Sequence, residues 1–148
     1  MVVNGFILIL GIVGHEGAKF TAETQRQARV IIRESLCMNV TRVVSGACHL
    51  GGIDVWAIEE AMQWGLPTQE FPPKDRHWDT GYKPRNIEIA QASDMVICIV
   101  VRTYPPDYAG MRFKLCYHCK TDSHIKSGGC WTARYAGKLG KPFEIIEI

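Results

Sequence analysis

Short apolar runs alternate with helix-like segments along almost the whole chain, and that alternation narrows the fold more than any single motif. Phe6–Val13 is a nearly continuous apolar run, the pattern of a strand buried on both faces. Thr21 can cap a helix through about Leu36, with Glu23 placed in its first turn to suit the helix dipole. Val40–Ser45 is a second, β-branched run, and Gly51-Gly52 opens a helix through about Trp64 that Gly65 and Pro67 stop. A short strand follows near Pro67–Phe71, and Pro72–Lys83 reads as loop from its prolines, glycine and charges. Pro84 suits the first turn of a helix through about Ala92, and Met95–Val101 is another buried run. Tyr104–Ser127 is polar and aperiodic, Gly128-Gly129 opens a last helix ended by Gly140, and Phe143–Ile148 is the final strand. Repeated strand–helix–strand order implies an α/β fold with about five parallel strands and helices on both faces.

Composition agrees with a folded chain of this kind. At 148 residues the length suits one domain, 1–148, with a cysteine-rich inserted loop at about 104–130. Apolar residues at 47% and charged residues at 22% exclude global disorder. Seventeen Lys and Arg against fifteen Asp and Glu leave +2, without a strong electrostatic footprint for nucleic acid or membrane. No run is long enough to span a bilayer, and no Lys or Arg precedes Phe6–Val13 as a signal peptide would require. The expectation is a cytoplasmic protein without a membrane partner. In that setting the six cysteines point to metal or free thiols before a disulfide framework.

In parallel sheets ligands bind outside the carboxyl ends of the strands. The loops that follow strands here, His15–Phe20, Gly46–Gly52, Pro72–Lys83 and Arg102–Gly129, hold most of the histidines and cysteines. Three glycine-rich turns lie at this edge: Gly11 to Gly17, Ser45 to Asp54, and Ser127 to Thr132. Each can aim unpaired N–H groups of a helix start at an anion, which brings Gly14, His15, Ala47 and Thr132 into the candidate site. None matches the G-x-G-x-x-G or P-loop pattern, and tight strand–helix packing is the better reading of any one of them alone, although several on one sheet edge carry more weight together. Asp54, in a first helical turn, fits either dipole complementarity or the grip of a ribose hydroxyl. Arg85 and Asn86 follow Pro84. An arginine at a helix start opposes the dipole, which favours an anion clamp over simple stabilisation, while a solvated surface arginine fits the position at least as well.

The second turn, Ser45-Gly46-Ala47-Cys48-His49-Leu50-Gly51-Gly52-Ile53-Asp54 with Ala57 and Ala61 beyond, resembles the Ser-Gly-Gly…Gly-x-Asp…Ala motif of the SLOG superfamily. That group includes the LOG phosphoribohydrolases and the DNA-processing protein A family. Pro73, Trp78, Pro84, Arg85, Asn86, Ser93 and Asp94 resemble the corresponding stretch of its small YpsA-related branch, and Gly128-Gly129 adds a third shared feature. The resemblance implies a Rossmann-like three-layer domain that binds a nucleotide or nucleotide-derived ligand. By the same resemblance Ser45, Gly46, Gly51, Asp54, Arg85, Asn86, Gly128 and Gly129 line the site. Two departures stand out. Ala47 replaces the second signature glycine, and the glutamate that LOG enzymes carry before the last helix is missing. Glu16, Asp54 and Arg85 are the remaining candidates for catalysis, with His15 and Lys19 beside Glu16 on the first loop.

Cys116, Cys119, His124 and Cys130 form a C-x2-C-x4-H-x5-C pattern, the most specific local signal in the chain. Two cysteines, a histidine and a third cysteine suit tetrahedral zinc, and a full set of four leaves no open position, so the expected role is structural. The spacing resembles a zinc knuckle whose last gap is one residue longer. His118 is an alternative to His124, while free buried thiols and a redox pair at Cys116 and Cys119 stay open. Between Tyr104 and Lys141 seven Lys and Arg meet two Asp, with Tyr104, Tyr108, Tyr117 and Trp131 interleaved. That excess suits a solvated basic face better than a nucleic-acid footprint. The leading expectation is a binder of a nucleotide-type small molecule, as sensor, sequestering protein or enzyme, assembled as a homo-oligomer. The alternatives are a hydrolase acting on the N-glycosidic or phosphate bond of such a ligand, and a zinc-dependent single-stranded nucleic-acid-binding module.

Overall fold

The computed structural model describes residues 8–148. The elements run β1 (Leu8–Gly14), α1 (Ala22–Leu36), β2 (Val40–Ser45), α2 (Ile53–Gln63), β3 (Thr68–Glu70), α3 (Lys83–Ala92), β4 (Met95–Val100), α4 (Gly128–Lys138) and β5 (Phe143–Glu147). All strand pairs are parallel and the sheet order is β3-β2-β1-β4-β5. The register sets Leu10 beside Val43, Val13 beside Cys98, and Cys98 beside Ile145. Of the expected first strand, Phe6 and Ile7 lie outside the described residues.

The apolar runs explain the layers. Along β4, Ile97 and Ile99 share a core with Ala28 and Ile32 of α1 and Ile53, Ala57 and Ala61 of α2. The alternate residues Val96, Cys98 and Val100 pack with Ile89 and Ala90 of α3 and Ala133 and Ala136 of α4. A strand covered on both faces has no polar side to present, so its sequence is continuously apolar. Helix α1 starts as expected: Thr21 Oγ1 accepts from Thr24 N at 3.1 Å, and Thr21 N donates back to Thr24 Oγ1 at 2.8 Å. Among the described residues no helix is long and apolar enough to cross a membrane.

Two segments depart from expectation. Pro72–Lys83 is not all loop, because Trp78–Tyr82 forms a single wide turn that runs straight into α3. The Lys83 N–H is consequently bonded to Trp78 O, and Arg85 does not stand at a free helix start. The dipole objection to an arginine there loses its footing, and its side chain is held by contacts described below. Asp94 also has a plain structural role: its N–H donates to Ile9 O at 2.7 Å and its Oδ2 accepts from Ile9 N at 2.8 Å, stitching β4 to β1.

Candidate functional site

Strand β1 leads to β2 on one side and neighbours β4 on the other, so the order reverses between β1 and β4. A crevice opens beyond the carboxyl ends of strands at such a point. Here it is a cleft of about 590 Å³. Its walls include Gly14, His15, Glu16, Asp54, Arg85, Asn86, Gly128 and Gly129. Ser45, Gly46, Ala47, Gly51 and Thr132 do not line it and act from behind or beside it. Ser45 Oγ donates to Ile12 O at 2.8 Å, and Thr132 Oγ1 donates to Gly128 O at 3.4 Å. Ala47 has φ +52, so the turn keeps a left-handed geometry at its alanine, at a cost of about 1 kcal/mol.

Arg85 reaches across from α3 to the end of β2. Its Nη1 donates to Gly46 O and its Nε to Asn86 Oδ1 at 2.8 Å. A side chain at Gly46 would meet both the Arg85 guanidinium, 2.3 Å from an added Cβ, and Asp54 Oδ2, 2.6 Å away. Glycine is what lets these two side-chain ends close over the turn without shifting. Asp54 is buried, and burial pushes its carboxyl up to about 6, against the opposing pull of the nearby Arg85 guanidinium. Gly129 is tight for a similar reason, since an added Cβ would lie 2.9 Å from both Cys98 Sγ and Gly14 N. The start of α4 thereby sits directly against the end of β1. Ser127 Oγ accepts from Gly129 N at 2.9 Å, while the Gly128 N–H has no acceptor within the helix.

His15 lines the cleft, but both ring nitrogens are engaged. Nδ1 accepts from Val101 N at 3.0 Å, which places the proton on Nε2, donated to Lys126 O at 2.9 Å. Burial and nearby Lys19 lower its pKa to about 3, so the ring is neutral. Glu16 Oε1 accepts from Tyr108 Oη at 2.9 Å and lies 3.7 Å from Lys19 Nζ. Lys19 is itself shifted downward, chiefly by burial.

The aromatic side of the cleft was largely missed as a site. Trp78, Tyr82, Tyr117 and His118 line it, together with Lys126 and Cys48. Trp78 was visible only as part of a family-like stretch, and His118 only as a spare metal ligand. Their common signal was a set of aromatic residues in loops that follow strands.

The cluster of three cysteines and a histidine is compact. One ligand atom from each of Cys116, Cys119, His124 and Cys130 lies within 4.8 Å of every other. Cys116 Sγ and Cys130 Sγ are 3.4 Å apart, close to the separation of about 3.8 Å that a tetrahedral ion with 2.3 Å sulfur bonds imposes. His124 Nε2 is buried without a hydrogen-bond partner among the described residues, and Nδ1 is 3.2 Å from Ser123 Oγ. An orphaned ring nitrogen beside three thiols is what a metal ligand looks like without its ion. His118 is not in this set. All six cysteines are free, and the Cys119 and Cys130 thiols are pushed upward, first by burial. A cation among them would reverse that and bind the thiolates.

No family model and no curated protein matches the sequence. Solved structures do match. DNA processing protein A from Streptococcus pneumoniae superposes with a TM-score of 0.58 at 15% identity, over 94% of this chain and 50% of that one. The molybdenum cofactor carrier protein from Chlamydomonas reinhardtii superposes with a TM-score of 0.58 at 17% identity, over 95% of this chain and 76% of that one. This chain spans about half the length of the first. The architecture, five parallel strands in one sheet with helices on both faces, is a Rossmann-like α/β fold shared with both structures.

Proposed function

We propose that this chain binds a nucleotide or nucleotide-derived ligand in the cleft at the carboxyl edge of its sheet. The observation that carries this is the convergence, at the strand-order reversal, of Arg85, Asp54 and the Gly128-Gly129 helix start with an aromatic wall. The helix start and Arg85 supply donors for a phosphate, Asp54 an acceptor for a hydroxyl, and the rings a face for a base. That one solved neighbour is a cofactor carrier and another a DNA-processing protein supports ligand binding by this fold. The Cys116, Cys119, His124 and Cys130 set holds a metal ion, and its donors suit zinc in a closed, structural role. The protein would then fold as one domain, with residues 104–130 inserted.

Calorimetric titration of the metal-loaded protein with a panel of nucleoside mono- and diphosphates tests the reading. Saturable binding by one of them, weakened about 100-fold in Arg85→Ala with the metal retained, is expected for loss of a charge-assisted anion contact. No binding across the panel, or equal binding by the variant, would overturn it. A second reading rests on Asp54, a buried carboxyl held near pH 6 in the cleft, which is the profile of a general acid or base. It requires the ligand to be consumed, and consumption to stop in Asp54→Asn while binding persists. Chromatography of the titrated ligand reads both.

A further inference from the structure

We infer that the metal cluster controls the cleft: an ion bound by Cys116, Cys119, His124 and Cys130 assembles the cleft's aromatic wall and its anion corner, so metal and a planar heteroaromatic anion bind cooperatively. The ligand half of this rests on the proposed nucleotide reading, and the metal half does not.

The ligands bracket the cleft residues in sequence. Tyr117 and His118 lie between Cys116 and Cys119, and both face the cleft. The His118 ring lies 6.4 Å from that of Trp78 at an interplanar angle of 22°, and 4.6 Å from that of Tyr117. Lys126, Ser127, Gly128 and Gly129 lie between His124 and Cys130 and form the opposite corner. The two intervals meet in space, since Lys126 Nζ sits 5.6 Å from the centre of the Tyr117 ring. One ion closing both intervals would fix the rings and the anion donors relative to each other.

Little else does so. Between β4 and α4 the backbone forms no helix or strand; an isolated bridge between Cys116 and Thr121 and one bond from Lys126 N to Leu115 O at 3.2 Å are its links across the two intervals. The Lys126 carbonyl accepts from His15, but nothing comparable anchors Tyr117 or His118. Their side chains are held by ring contacts with Trp78, Phe113 and each other and by the Lys126 ammonium over Tyr117, each of them weak. Ordering this wall costs conformational entropy, and a metal that has already ordered it spares the ligand that cost. Linkage makes the effect reciprocal: the factor by which metal tightens ligand is the factor by which ligand tightens metal.

The test compares zinc-loaded, chelator-stripped and zinc-restored protein by hydrogen exchange and by titration with adenosine and guanosine 5′-monophosphates. Stripping is expected to raise exchange at residues 78–82 and 126–129 by at least about tenfold, leave β1 and β4 protected, and reverse on adding zinc. It should weaken the nucleotide that binds by at least about tenfold, and that nucleotide should slow zinc loss to a chelating dye by a matching factor. A Tyr117→Ala, His118→Ala double variant should keep one metal per chain and still lose nucleotide. Equal exchange in loaded and stripped protein overturns the coupling, whatever the nucleotide result. A metal-dependent change in exchange with no nucleotide bound by either form sustains the assembly of the cleft and defeats only the nucleotide reading.

Discussion

The end of β1 and the cysteine-bearing insertion each bury one histidine, and they bury it differently. His15, 3% exposed, spends both ring nitrogens on backbone groups. His124, 7% exposed, leaves Nε2 without a partner among the described residues. The first histidine is complete within the protein and joins β1, the end of β4 and the insertion. The second keeps a ring nitrogen free beside three thiols, as the proposed metal site requires. Organisation differs in the same way. The sheet is held by repeated backbone bonds over two apolar cores, whereas residues 101–127 have few backbone bonds and enter those cores as buried residues only through Val101, Tyr104, Ile125 and Cys116.

Removing the ion is the largest blow to this contrast. Structural zinc contributes on the order of 10 kcal/mol of apparent binding free energy, and only a state with the four donors assembled collects it. Chelation is expected to lower the melting temperature by about 10 °C or more while leaving the far-UV signature of the helices in place. Cys130→Ser should behave the same way. A protein purified with no metal, melting identically with and without chelator, would make the two histidines equivalent.

Acid tests the other side. His15 is neutral in the folded protein down to about pH 3, whereas an unfolded chain protonates it near 6.5. The unfolded state therefore binds the extra proton between those values, and stability falls as pH drops from 6.5 toward 3. The loss is roughly 2 kcal/mol by pH 5 and 4–5 kcal/mol in full, read from urea unfolding across pH. His15→Ala should flatten that slope and cost about 2–4 kcal/mol at pH 7 by unpairing Val101 N and Lys126 O.

These contrasts also show what sequence could and could not reveal. The strands were legible because a doubly covered strand must be apolar at every position, as in Met95–Val100. The metal set was legible because four donors at short spacing leave a local trace. Arg85 was legible as an anion candidate, but the reason offered for it was wrong: the wide turn at Trp78–Tyr82 removes the free helix start. Nothing in that segment's prolines, glycine and charges signals such a turn. The aromatic wall was illegible as a unit, because Trp78, Tyr117 and His118 come from two distant loops brought together only by the fold. His15 could not be told from a ligand-binding residue until its two acceptor and donor partners, 86 and 111 residues away, were in view.

A smaller effect of opposite sign is expected at Asp54. Its folded pKa of about 6 lies above the ordinary 3.8, so the folded state holds the proton more tightly. The ionised carboxylate then costs stability at and above pH 6, and the cost disappears as pH falls toward 3.8. Asp54→Asn is expected to stabilise the protein by about 1–3 kcal/mol at pH 7.5 and to have no such benefit at pH 4. Unfolding curves at the two pH values read the difference. A variant that loses stability at both would show that the carboxylate is a net structural asset and not a charge kept for the cleft.

The smallest effect separates the metal's hold on the insertion from the sheet's. Glu147, near the end of β5, accepts from Arg102 Nε at 2.7 Å through one oxygen and from Ile125 N at 2.8 Å through the other. Arg102 in turn donates to Asp122 O at 2.9 Å. This is a sheet-borne tether beside His124, partly exposed and so worth about 1 kcal/mol. Glu147→Gln keeps one acceptor and removes the charge. With metal bound, exchange at residues 122–125 should rise only a few-fold, because the ion still closes the loop. In stripped protein the same substitution should release the segment much further, since only the His15–Lys126 bond and the packing of Ile125 then hold it. Equal increments with and without metal would mean the two anchors act independently, and the insertion would then be less dependent on its ion than His124 makes it look.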